Sequence, residues 1–395
     1  MIPRRDVTLF RGFLYYFHRW IFDSFSRRDY RLFFKRKIEQ FLKTHDFFLM
    51  SRGRFAFDLI FDSVRYNEDS EIIVPNYYLK ELVPKLKDKG LKPVFCDINE
   101  ETLFLSIDDL KNKLTKKTKF VILPHMLGIC GNLKEAMKTI KKSNDKIIII
   151  EDCAHSFGST YNEKHLGTFS DFALFSFDYI KPINLFGGGG LLVNNKKYLE
   201  SVKRRYKDFH EPQKKGTLKK VIYYFVQTIL MKSPLFYFIK LALRNKKSKS
   251  LVKKVHKSNS NRPEKLSQFQ SFIGIHQLKN FHDKQKKLTN IRKEYINKLR
   301  DANIEVLNIG ECDSYSNYSF FIKTKKDSDI INEKMFKMGI DVGIKDEVMD
   351  LCDVTSDNFS NSKHIFNHIV QIPFYYNLKP KAMKKIVNTI IEITK

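Results

Sequence analysis

At 395 residues the chain exceeds what one hydrophobic core usually serves, roughly 250 to 300 residues, so two structural units are expected. Hydrophobic residues make up 42 % of it, with 35 Phe, which excludes a disordered chain. The net charge of +28 calls for an anionic partner and leaves nucleic acid, a membrane surface and a phosphorylated substrate all open.

Residues 1–48 are basic and aromatic and have helical character, and they are read as an N-terminal helical extension. Arginines interrupt each apolar stretch there before it reaches signal-peptide length, so a cytoplasmic protein is expected. From Ser51 the pattern changes. Short, wholly apolar runs alternate with charged, helix-like stretches: EIIVP (71–75), KPVFCDI (92–98), KFVILPH (119–125), KIIIIED (146–152), FALFSF (172–177) and GGLLVNN (189–195). Strands apolar on both faces and spaced by helices indicate a parallel sheet covered on both sides, so the class is α/β.

From Pro212 to Pro263 there is no acidic residue, while Lys214 through Lys257 supply thirteen positive charges. The apolar runs VIYYFVQTIL (221–230) and LFYFIKLAL (235–243) inside it are far shorter than the ~20 residues that cross a bilayer. A long helix is expected over 268–300, then a small α+β unit over 301–395, with a strand in YSFFIKT (318–324) and helices at 329–339 and 380–395. The expected division is therefore 1–48, a large unit over 49–300 carrying the basic insertion 212–262, and 301–395. The five cysteines show no spacing suited to zinc or an iron–sulfur cluster, so no metal is expected.

Three segments carry candidate chemistry. IIIIEDCAHSFG (147–158) ends a buried strand on Glu151 and Asp152, at the edge where open α/β sheets bind ligands. Capping of the next helix is the competing role for Asp152. Lys181 follows 29 residues after Asp152, in FSFDYIKPINLFGGGG (175–190). Most lysines are solvated, but one held between a buried strand and a glycine run is positioned and partly desolvated, which favours the neutral, nucleophilic amine. The glycines allow close backbone approach or positive φ. SRGRFAF (51–57) resembles the phosphate turn, Ser-x-Gly-Thr-x-Ala, of the same family that the other two segments resemble.

Together these segments resemble the DegT/DnrJ/EryC1/StrS family of sugar aminotransferases, fold type I enzymes that depend on pyridoxal phosphate. The acidic pair with its following Cys153, Ala154 and His155, the Ser176 to Lys181 spacing and the run Gly187 to Gly190 carry the resemblance. VPNYY (74–78), LPHMLG (123–128) and LSQFQSFIGIHQL (266–278) extend it. It implies that Lys181 holds the cofactor and moves the proton, that Asp152 pairs with the pyridine nitrogen, and that Ala154 and His155 lie at the ring. A satisfied core histidine is the other reading of His155. Ser176 and the amides of Gly53 and Arg54 would hold the phosphate, and Tyr77 or Tyr78 would stack on the ring, since Leu79 stands where relatives often carry an aromatic.

The resemblance further implies a homodimer, an amino donor such as glutamate or glutamine, and a nucleotide-linked keto-deoxysugar as acceptor in surface polysaccharide synthesis. Departures are visible. Gly188 replaces a frequent acid, and Pro263, Glu264 and Lys265 replace an Asn-x-Arg segment that reaches the partner subunit in relatives, with Asn261 and Arg262 nearby as substitutes. Relatives that dehydrate sugars carry His in place of the lysine or add cysteines for an iron–sulfur cluster, so Lys181 and the lack of such a cysteine cluster favour transamination. The segments 1–48 and 212–262 suit peripheral contact with the inner face of a membrane, or equally packing on the main body. A non-catalytic binding protein of the same fold, acting at a membrane or on nucleic acid, is the alternative, with nucleic acid the weaker case.

Overall fold

The structure is a computed structural model and describes residues 1–5, 18, 28–178, 180–213, 222–223, 226, 229–230, 233, 236–243, 262–308, 310–343, 345 and 349–394. Most of the N-terminal extension and of the basic insertion lies outside them.

Six of the expected strands form, at β2 (Glu71–Pro75), β4 (Lys92–Cys96), β5 (Thr118–Pro124), β6 (Ile148–Asp152), β9 (Phe172–Ser176) and β10 (Gly189–Val193), joined by β1 (Phe47–Met50). Shorter strands are β3 (Tyr77–Tyr78), β7 (Thr160–Tyr161), β8 (Lys164–His165), β11 (Phe320–Lys323), β12 (Asp350–Leu351) and β13 (Ile369–Ile372). The seven-stranded sheet has the order β1-β10-β9-β6-β5-β2-β4. β9, β6, β5, β2 and β4 run parallel, while β10 is antiparallel to both β9 and β1. The sheet is therefore mostly parallel, with one reversed strand next to its edge.

Period-2 alternation explains why the strands are apolar throughout. Ile72, Phe120, Ile148 and Leu174 enter one buried cluster, while their neighbours Ile73, Val121, Ile149 and Phe175 enter a second on the opposite face. Helices close both faces. In Leu133–Ser143, Leu133, Ala136 and Ile140 point inward and lysines point out. A third cluster gathers β11, β13 and the helices Phe281–Arg300, Ser328–Lys337 and Pro380–Thr394.

Two boundaries differ from expectation. The helix expected over 268–300 breaks at Asn280 into Gln268–Lys279 and Phe281–Arg300, and Leu288, Tyr295 and Leu299 of the second part lie in the third cluster. Within the expected extension 1–48, the described segments pack on the main body. The helix Tyr30–Leu42 buries Phe34, Ile38 and Leu42 in the second cluster, Tyr30 meets Phe272 edge-on at 5.2 Å, and Met1–Arg5 is not helical but pairs through Ile2 with Ile340.

Gly274 lies where Phe34 crosses the helix Gln268–Lys279, and a Cβ there would overlap the Phe34 ring. Gly→Ala in a helix ordinarily gains up to about 1 kcal/mol. Here the overlap reverses the sign: Gly274→Ala is expected to lower stability by roughly 1–3 kcal/mol in urea unfolding. Adding Phe34→Ala should make the glycine substitution neutral or favourable, a non-additivity that the double-mutant cycle reads directly.

Candidate active site

The site forms at the C-terminal ends of β5, β6 and β9. Asp152 ends β6 and is buried. Its Oδ1 accepts from the Ala154 amide at 2.8 Å and its Oδ2 from the Tyr78 hydroxyl. Burial raises the Asp152 carboxyl above its ordinary range, against the opposing pull of Tyr78, the Ala154 amide and the Lys181 ammonium.

Glu151 points to the other face and serves the scaffold. Its oxygens accept from Gly167 N at 2.8 Å, Phe169 N and Ser170 N at 3.0 Å, Ser170 Oγ at 2.9 Å and His125 Nε2 at 3.0 Å. Burial pushes its carboxyl up, but the bonds to His125, Gly167 and Ser170 outweigh that and hold it below the usual range. Glu151, His125 and Cys153 form the one close group of potential metal ligands among the described residues. That carboxylate is already saturated with donors, and burial keeps the Cys153 thiol protonated.

His155 is buried, its Nδ1 accepts the Leu127 amide at 3.2 Å, and its ring lies flat against Tyr318, with centroids 4.2 Å apart. Leu127 holds this geometry with a left-handed backbone, φ 55°. Burial, with the Lys181 and Arg5 charges nearby, holds the imidazole well below its ordinary pKa, so it is neutral with its proton on Nε2.

Lys181 is half-buried, its amide donates to Asp178 O at 3.0 Å, and its Nζ stands 5.1 Å from the Tyr318 ring centroid. The loop that follows is clamped from outside. Gln270 Nε2 donates to Leu185 O and Gly187 O at 2.8 and 2.9 Å, Gln277 brackets Asn184 by accepting its amide at 2.9 Å and donating to its carbonyl, and Lys284 Nζ donates to Pro182 O at 2.8 Å. These three residues are spaced seven apart, so they share one face across the Asn280 break. That spacing of seven is the sequence signal for the clamp.

The glycine run does two things. Gly187 and Gly188 take φ of +103° and +124°, which a residue with Cβ rarely adopts, and Gly189 sits against Gly53, where a Cβ would overlap the Gly53 backbone. Gly53 in turn lies against Ser176, with room for a Cβ only at 3.2 Å from Ser176 Cβ. Gly53 thus meets Ser176 just before the helix Phe55–Ser63, whose first turn carries no side-chain cap. Arg54 itself is exposed and pairs loosely with Glu81 at 3.7 Å. Of the two stacking candidates, Tyr78 reaches Asp152 through its hydroxyl, and Tyr77 packs edge-on against Phe366 at 6.4 Å. Pro263–Lys265 runs beside the turn of its own chain, with Ser51 N donating to Glu264 O at 2.8 Å.

Residues 23–391 match the DegT/DnrJ/EryC1/StrS aminotransferase family. The chain belongs to that family. GDP-perosamine synthase of Escherichia coli O157:H7 is 36 % identical over 150 residues, 38 % of this chain and 40 % of that protein. The Vibrio cholerae GDP-perosamine synthase is 33 % identical over 170 residues, 43 % of this chain and 46 % of that protein. The chain thus matches less than half the length of these curated relatives. Among solved structures, the putative sugar aminotransferase Spr1654 of Streptococcus pneumoniae superposes with a TM-score of 0.74 at 18 % identity, over 96 % of both chains. The E. coli GDP-4-keto-6-deoxy-D-mannose-3-dehydratase superposes with a TM-score of 0.72 at 18 % identity, over 100 % of this chain and 99 % of that one. These likenesses establish the shared fold.

In this DegT/DnrJ/EryC1/StrS chain the residues fit pyridoxal phosphate. The group requires a carboxylate for its ring nitrogen, an amine for its aldehyde carbon and an anion seat for its phosphate. Asp152, Lys181 and the uncapped helix start beside Ser176 supply these, and the Gly53–Gly189 contact keeps the phosphate end free of side chains. Tyr78 on Asp152 Oδ2 leaves a second lone pair on that oxygen.

The depressed His155 pKa sets an acid-side stability loss. The unfolded chain takes up a proton near the ordinary histidine value of 6.5 while the folded chain does not, so this stability is complete above pH 6.5 and lost as pH falls below it. His155→Gln is therefore expected to flatten the fall in unfolding midpoint between about pH 6.5 and 5 by close to one proton, measured by urea titrations across that range.

Proposed function

We propose that this chain is a pyridoxal phosphate-dependent aminotransferase that moves an amino group from glutamate or glutamine to a nucleotide-linked keto-deoxysugar in surface glycan synthesis. The observation that carries the reading is Lys181 in electrostatic reach of both Asp152 and His155, at the open end of the sheet and beside a phosphate-type turn. When bound, the cofactor supplies an electron sink for the carbanion of the amino donor. Asp152, where Tyr78 and Ala154 oppose the upward push of burial, would pair with the ring nitrogen and keep it protonated. Lys181 would hold the cofactor at its aldehyde carbon, and as a free amine it would carry the proton between the donor Cα and the cofactor C4′. His155, neutral and with Nε2–H, would donate to the phenolic oxygen. Ser176 and the amides of Gly53 and Arg54 bind the phosphate, with the helix dipole behind them. A homodimer in the cytoplasm belongs to the same reading on the ground of family membership.

Purified wild type with pyridoxal phosphate should show the visible absorbance band of the lysine-bound cofactor. Lys181→Ala should lose the band and reduce amino transfer on the order of a thousandfold. A wild type that takes up no cofactor at saturation defeats the aminotransferase reading.

Peripheral contact with the inner face of a membrane is a second part of the proposal. Six of the twelve large apolar side chains exposed among the described residues fall within 222–241: Ile222, Tyr223, Val226, Ile229, Phe238 and Leu241. The helix Phe236–Leu243 is tied down on its other side, where Tyr237 stacks on Phe336 at 5.2 Å and Lys240 pairs with Asp341 at 3.2 Å. Apolar side chains standing out of a segment that is basic and free of acids fit an anionic lipid surface. No helix among the described residues is long and apolar enough to cross a membrane. Flotation with anionic vesicles should carry the protein up, neutral vesicles should not, and Phe238→Glu with Leu241→Glu should leave it at the bottom. Wild type that stays at the bottom with anionic lipid removes this part.

A further inference from the structure

Met1–Arg5 is pinned to the body that carries the third cluster. Ile2 N donates to Gly339 O at 2.8 Å, Asp341 N to Ile2 O at 2.9 Å, and Phe374 N to Arg4 O at 3.2 Å. The two arginines that follow have different surroundings. Arg4 turns back, its amide donating to Asp341 Oδ2 and its Nη1 to Val342 O, both at 3.3 Å. Arg5 extends to the wall of the active site. Its Nη2 donates to Gln371 Oε1 at 3.0 Å, Tyr318 Oη at 3.3 Å and Ser319 Oγ at 3.5 Å. Its guanidinium carbon lies 5.1 Å from the Tyr318 ring centroid, the same distance as Lys181 Nζ from that ring.

No carboxylate pairs with Arg5 among the described residues, and its Nε is buried without a hydrogen-bond partner. A half-buried guanidinium that meets only neutral acceptors is costly to keep, so an anion is the missing element. Gln371, Tyr318 and Ser319 take up Nη2, and among the described residues Nη1 is left as the guanidinium nitrogen that is neither buried nor bonded, open to a charge-assisted bond with a carboxylate.

The chemistry of the proposed reaction says which anion belongs there. The carbon that Lys181 deprotonates in an amino-acid donor carries the α-carboxylate directly, so that group must lie within a few bond lengths of Lys181 Nζ. A cation sharing one tyrosine ring with Lys181 is in the right place. We propose that Arg5, held by Gln371 and Ser319, is the binding residue for the α-carboxylate of the amino donor, with Tyr318 as the floor between it and Lys181. This inference rests on the aminotransferase reading and adds the donor subsite to it.

The test uses the full-length holoenzyme. Loss of the visible band on mixing with L-glutamate or L-glutamine reports the donor half-reaction, and calorimetric titration with glutarate, which has no amine to react, reports carboxylate binding alone. Arg5→Gln should raise the donor concentration for half-maximal rate, and weaken glutarate, by roughly 10- to 100-fold, with Arg5→Lys between the two. The cofactor band and GDP affinity should stay within about twofold, in keeping with an exchange that touches neither group. Unchanged donor dependence in Arg5→Gln overturns the assignment, and a matching loss of GDP affinity reassigns Arg5 to the diphosphate and overturns it too. A wild-type band that responds to neither amino acid overturns the aminotransferase reading itself, whereas failure of Arg5 alone leaves that reading standing.

Discussion

The site depends on how closely β10 can lie against the start of the helix Phe55–Ser63. Gly189 pairs with Met50 on one side and Ser176 on the other, and its missing side chain lets the Gly53 backbone rest on it. That single contact brings the turn at Gly53 next to the strand that leads to Lys181. Gly187 and Gly188 then supply the left-handed turn that returns the chain from the lysine loop to the sheet. Gly188 follows from this requirement, since a Cβ there would come within 2.9 Å of Leu266 in addition to the backbone strain.

Around this contact, burial and compensation set each group's charge. Asp152 and Glu151 are adjacent and both fully inside, yet they differ in outcome. Glu151 gathers four backbone and hydroxyl donors and His125, and falls below its ordinary range, whereas Asp152 has two donors and a nearby ammonium and stays above it. The less satisfied carboxylate is the one with capacity for a further cationic partner, and it is the one facing Lys181. Alternation along β6 decides which acid is which.

Much of this was legible in the sequence. Wholly apolar runs identified the parallel strands, and an acid at a strand end with a lysine before glycines singled out Asp152 and Lys181 as candidates, because both signals are local. What escaped was long-range. β1 is four residues, FFLM, and gains its strand character only from pairing with β10. The break at Asn280 does not interrupt the polar and apolar pattern of the helices around it. Tyr318 and Arg5 reach Lys181 from 137 and 176 residues away in sequence, and no periodicity encodes such a meeting. The helix Tyr30–Leu42 read as an appendage because its basic residues dominate the composition, although Phe34, Ile38 and Leu42 form a buried stripe at i, i+4 and i+8.

Two arginines meet at Ser319, and their difference separates structural charge from charge that awaits a ligand. Arg292 donates to Ser319 O at 2.7 Å and to Asn317 Oδ1 at 3.1 Å, and its guanidinium lies 4.3, 5.0 and 5.6 Å from the rings of Tyr315, Phe320 and Phe374. Three ring faces offer a buried cation the negative potential that a carboxylate otherwise would, so Arg292 needs nothing more. Arg5 takes the hydroxyl of the same serine, but it has one ring and an orphaned Nε. In a chain of +28 most cations belong to the surface, and the informative ones are those the fold has buried and left incomplete. Arg5 is such a cation, and it stands on the same tyrosine as Lys181.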